Sequence, residues 1–251
     1  MVANNLETLI RCKEDMKTAI EERGITITGG LSTYADLIYE INSKKYIPSY
    51  MTVEDSNVTN FDNITFENRT NCNRLFADCL YLEECPKIDI SNSNSINWMF
   101  YNCQQLTSIY QYNTSNVERM GSTFNNCVRV VSIPLLDAGK IEYVNNCFEG
   151  CKELTDFGGL KDLGKVEKMI NAYAYNDWEE HDYNAILDLY DCSKLTRDSI
   201  LNVFNNLYDR ATAGYSILRV NLNENSLEKL SDIDIAIATN KGWNIVCNSI
   251  I

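Results

Sequence analysis

The sequence predicts an α/β repeat solenoid, built of tight 24-residue coils that pass into longer strand–helix units and preceded by a small helical module. Three observations carry this reading. Phe76, Phe100, Phe124 and Phe148 recur at a constant step of 24, and Cys79, Cys103, Cys127 and Cys151 follow them three residues behind. Two further columns, Leu82, Leu106, Val130, Leu154 and Cys85, Ile109, Ile133, Phe157, hold the same frame. Beyond residue 184 the pattern changes to LxLxxCxxL followed by helical periodicity. Columns of this kind arise when each unit buries its apolar face against the next.

Residues 1–45 lie outside the array and are expected to form a helical anchor or oligomerisation module. Leu6, Leu9, Ile10, Met16, Ala19 and Ile20 fall near one face at helical spacing. Asn4 with Glu7 supplies a start signal of the capping-box kind, and Gly24 a stop. A second short helix is expected through STYADLIYEIN, with Thr33 and Asp36 at its start. Two such helices are too short to stand alone. Leu9, Met16 and Ile20 are therefore the candidate contact stripe, either to copies and partners or as a cap folded over the first coil. NSKKYIPSY at 42–50 reads as a linker.

Residues 46–170 form the array, with a degenerate first coil marked by Val58, Phe61 and Ile64. Short strands should alternate with turns, and the Asn, Ser, Asp and Gly between the columns suit turns closed by side-chain to backbone hydrogen bonds. In the fourth unit Val166 and Met169 sit one residue later than the third-unit frame predicts. Residues 171–251 comprise an aromatic insertion, NAYAYNDWEEHDY, and the strand–helix end. There Leu187, Leu189, Cys192 and Leu195 make a strand and turn of leucine-rich-repeat type. Thr196 caps a helix through residue 211, SILRVNL is a strand, and one helix is expected through SLEKLSDIDIAIATN. Gly242 stops that helix and WNIVC forms a last strand. The unit length is expected to grow to nearly 30 residues.

A net charge of −13 opposes nucleic-acid backbones and anionic membranes as partners. No apolar run is long enough to span a bilayer, and charges interrupt the first 15 residues, so no membrane insertion and no secretory signal are expected. The ten cysteines are expected to be reduced, because a repeat column uses Cys as a small buried apolar residue. With one histidine, no CxxC pair and no Walker, GxSxG or HExxH motif, the sequence offers neither a catalytic residue nor a metal or cofactor site.

The run MFYNCQQLTSI…NTSNVERM (99–120) resembles the BspA-like branch of the leucine-rich repeats, whose units alternate MFxxCxxLxxI with SNVxxM. The resemblance covers about 120 residues and weakens where DAGKIEYV and KDLGKVEKM replace the second half-motif. The C-terminal run LTRDSILNVFNNLYDRATAG…SDIDIAIATNKGWNI is similar to the closing segment of such proteins in phages and prophages of gut bacteria. DMKTAIEERGITITGGLSTYADLIYEI is similar to a leader found on phage tail and fibre proteins. The resemblance implies a non-enzymatic virion structural protein, a fibre or decoration protein assembled in the host bacterial cytoplasm. Residues 1–45 would join it to other virion proteins, as a homo-oligomer and on analogy with fibres a trimer. The array would meet a bacterial surface glycan or protein, or a mucosal ligand. A bacterial cell-surface adhesin and an intracellular interaction scaffold are the alternatives.

Within the insertion, Tyr173, Tyr175, Trp178, Glu179, Glu180, His181 and Tyr183 are the candidate ligand-binding residues. Aromatic side chains with polar tips suit sugar stacking and protein hot spots. The same residues could instead pack the seam between the two kinds of unit. A cation on Glu179, Glu180 and His181 is less favoured than a solvated loop. Tyr101, Tyr110 and Tyr112, near a coil edge, carry the same two readings.

Overall fold

A computed structural model describes residues 46–47, 65–66, 69–166 and 186–247, with side chains from 69 to 166 and from 187 to 247. The chain divides into one unit of residues 1–47 with 63–65 and a second of residues 48–62 with 66–251. The helices expected within 1–45, with Leu9, Met16 and Ile20, lie outside the described residues. So do Val58, Phe61 and Ile64. Described residues of the first unit lie in the short strands β1 (Tyr46–Ile47) and β2 (Thr65–Phe66), the latter reaching into the second unit.

The second unit is mixed α/β with short parallel strands. Its repeat segment contains β3 (Ser132–Ile133), β4 (Leu136–Asp137), β5 (Asp156–Phe157) and β6 (Leu160–Lys161). β3 pairs with β5 and β4 with β6, both parallel and both offset by one 24-residue period. Isolated bridges Asn71↔Ser95, Ser95↔Arg119 and Arg119↔Tyr143 carry the same offset through earlier units. Regular strand is thus scarcer than the sequence suggests, because most inter-unit bonding runs through turns. The N–H groups of Arg74, Phe76 and Asp78 donate to the carbonyls of Asn97, Met99 and Tyr101. One period on, Trp98, Phe100 and Asn102 donate to Gly121, Thr123 and Asn125, and then Ser122, Phe124 and Asn126 to Asn145, Cys147 and Glu149. The intervening residues Leu75, Ala77 and Cys79 bond back within their own turn, to Cys72, Arg74 and Phe76.

That alternation requires two left-handed residues per unit. One column is Arg74, Trp98, Ser122, Asn146 (φ 54, 55, 52 and 55°), and the other is Asp78, Asn102, Asn126, Gly150 (φ 60, 60, 61 and 75°). Asp, Asn and Gly tolerate this conformation, which explains the second column. The amides there also form a ladder, Asn126 Nδ2 donating to Asn102 and Asn102 Nδ2 to Asp78. A third polar column, Asp89, Asn113 and Asp137, closes turns by accepting from the N–H two residues on.

The apolar columns form the core. Phe76, Phe100, Phe124 and Phe148 are buried and stack nearly parallel, with centroids 5.4, 5.9 and 5.8 Å apart. Cys79, Cys103, Cys127 and Cys151 are fully buried. The thiols of Cys103, Cys127 and Cys151 donate to the carbonyls of Phe76, Phe100 and Phe124 at 3.1, 3.1 and 3.2 Å. Cysteine here combines a small apolar volume with a weak donor aimed at the neighbouring unit. Tyr112, placed by the sequence near a coil edge, is instead core. Its hydroxyl donates to Pro86 O and lies 3.1 Å from Cys85 Sγ.

The C-terminal end consists of β7 (Ile186–Asp188), α1 (Arg197–Asn206), α2 (Arg210–Ala213), β8 (Leu218–Asn221), α3 (Glu224–Leu227), α4 (Asp232–Thr239) and β9 (Trp243–Val246). β7, β8 and β9 form one parallel sheet. Successive strands are offset by 33 residues and then by 25, rather than a uniform value near 30. Thr196 caps α1 by accepting from Ser199 N, and α1 turns Ser199, Ile200, Val203 and Phe204 inward against β5 and β6. The single helix expected over 226–240 is two, because Ser231 and Asp234 make a reciprocal capping box that restarts the chain at α4. Arg197 then grips the Asp234 carboxylate with two bonds, at 2.6 and 3.1 Å. α1 has no basic residue in its last turn, and Lys241 supplies the missing cation by donating to the carbonyls of Phe204, Asn205 and Leu207. No helix among the described residues is long and apolar enough to cross a membrane.

Two outcomes are expected. Cys103→Ser places a more polar, shorter hydroxyl in the buried column and should destabilise the fold by about 1–3 kcal/mol, read as a lowered melting temperature; an unchanged melt would contradict the packed column. Every described cysteine is a free thiol. Burial pushes Cys85 up to about 11 and Cys147 up to about 12, and also raises Cys103, Cys127, Cys151 and Cys192. In a Cys12→Ser background, Ellman titration at pH 8 should therefore find one fast thiol, the exposed Cys247, with the others reacting only on unfolding.

Candidate functional site

The residues singled out in the sequence fall in the inserted segment and on the turns that carry the left-handed columns. Tyr173, Tyr175, Trp178, Glu179, Glu180, His181 and Tyr183 lie outside the described residues. Their frame is well defined on both sides. Cys192 continues the cysteine column, its thiol donating to Phe148 O, as Cys151 donates to Phe124 O. Gly150 N donates to Asp191 Oδ2, and Lys194 pairs with Glu153 at 2.6 Å. These contacts join residues 41 apart where earlier units join residues 24 apart. The offset between joined residues is thus 17 longer here than between earlier units, while the cysteine column is kept.

The departure point is held from the next unit. Arg210 is fully buried, and its guanidinium donates to the carbonyls of Gly164 and Val166 and to Ser216. It also stands 5.2 Å from the Tyr215 ring. Gly164, at φ +86°, leaves room for the Trp243 indole, which a Cβ there would meet at 2.6 Å. Trp243 donates its own indole N–H to Tyr208 O. At the return, Asp188 accepts from Tyr190 N and Asn221 Nδ2; burial pushes its carboxyl above the usual range, and these two hydrogen bonds pull the other way. Asp188, Asp191 and Glu149 are thus engaged in holding units together. Among the described residues no cluster of His, Cys, Asp and Glu could hold a metal ion.

On the turn face the sequence singled out Tyr101 and passed over Trp98. Tyr101 N donates to Trp98 O at 3.0 Å, so the two residues are the first and last of one tight turn. Trp98 is 37% exposed although its backbone is left-handed. Its neighbours in the column are Arg74 and Ser122, and those of Tyr101 are Ala77 and Asn125. A signal was present in the sequence: a tryptophan stands where the other three units carry Arg, Ser and Asn. Tyr110, by contrast, packs edge-on against Tyr112 at 5.5 Å, with Lys87 Nζ 6.0 Å from its ring.

No curated protein and no solved structure matches the chain. Residues 70–186 match the family described as Mycoplasma protein of unknown function, DUF285. The matched span contains all four Phe–Cys units and ends at the first residue of β7. The periodic part of this chain, from 70 to 186, is thus similar to repeat domains of the DUF285 type.

Proposed function

We propose that this chain is a non-enzymatic display protein of a bacteriophage virion, a fibre or decoration protein that presents a leucine-rich-repeat-like solenoid to a bacterial surface or mucosal ligand. The observation that carries the binding reading is the register kept across the insertion. A 17-residue surplus between units that remain locked together is material that the packing of the described columns does not require. Its aromatic and acidic content, Tyr173, Tyr175, Trp178 and Tyr183 beside Glu179, Glu180 and His181, suits ligand contact. A stack of units also exposes a long regular face whose residues vary without disturbing the core. The virion assignment is supported by the similarity of both chain ends to phage proteins. Residues 1–45, through Leu9, Met16 and Ile20, would mount the protein on other virion components or on copies of itself.

Location tests the reading directly. Particles, envelope and cytosol from the native source are separated and this chain is quantified in each by mass spectrometry. Stoichiometric recovery in particles is expected; recovery in the envelope alone would replace the virion reading with a cell-surface adhesin, and in cytosol alone with an intracellular scaffold. Deleting residues 168–184 should leave the circular-dichroism spectrum and cooperative melt in place and reduce adherence to host cells at least tenfold. A collapsed melt would make the segment a packing seam, and full adherence would remove it from the binding surface.

A further inference from the structure

We draw no further inference here: the strongest candidate, the apolar outer side of the last helix and strand, where Ile233 of α4 is 80% exposed and Ile237 of α4 and Ile245 of β9 are half-buried, is an unpartnered face, and nothing in the structure shows what covers it.

Discussion

The structure depends on one constraint: in each 24-residue unit the backbone must satisfy its own turn and the next unit at once. It does so by alternation. Across the segment from 74 to 79, every second N–H crosses to the following unit and the ones between bond three residues back. A uniform helix would turn all of its N–H groups inward, and a uniform strand would turn none back. Two left-handed corners per unit make the mixed pattern possible, which is why Asp, Asn, Ser and Gly recur at fixed places. With the ladder in place, each side chain sits directly over its equivalent one period away. The parallel phenylalanine stack and the thiol-to-carbonyl contacts follow from that superposition.

The C-terminal end solves the same problem with other parts. Where the tight turns stop, α1 and α4 take over, and their orphan backbone groups are met by residues of adjoining units. Lys241 caps α1 from the far side of α4, and Arg197 at the start of α1 holds the cap of α4. Arg210 performs a comparable task for the carbonyls at Gly164 and Val166, where the chain leaves the stack. The column resumes at Cys192 after 41 residues because these groups, with Gly150 and Asp191, fix both sides of the departure.

This division bears on function. Core positions are bound by the superposition of units, and a change there is felt by two neighbours. Positions on the turn face are held in backbone conformation and in part by side-chain bonds, as in the Asn126–Asn102–Asp78 ladder, while the Trp98 side chain stays exposed. Trp98 lies at the junction of the two regimes, with a backbone dictated by the ladder and a side chain the ladder does not use. A repeat protein that varies such exposed positions can change its ligand and keep its fold.

Much of this was written in the sequence because periodicity survives without a structure. The Phe and Cys columns, the Thr196 cap, the strands near 187, 218 and 243 and the 24-residue step each depend on local pattern or on strict repetition. What the sequence could not decide depends on atoms a full unit away. The apolar rhythm through Leu227, Leu230 and Ile233 is continuous with a single helix, and only the capping box at Ser231, held by Arg197 from another helix, divides it. Tyr112 is amphipathic and could face either way; the carbonyl of Pro86 and the thiol of Cys85 draw its hydroxyl inward. Trp98 gave no sign of its left-handed backbone, because that conformation is imposed by bonding to Gly121 in the following unit. The sequence by itself determined which residues recur and therefore what is buried. The tertiary structure alone decided where each recurring backbone group finds its partner, and so which side chains the packing leaves exposed.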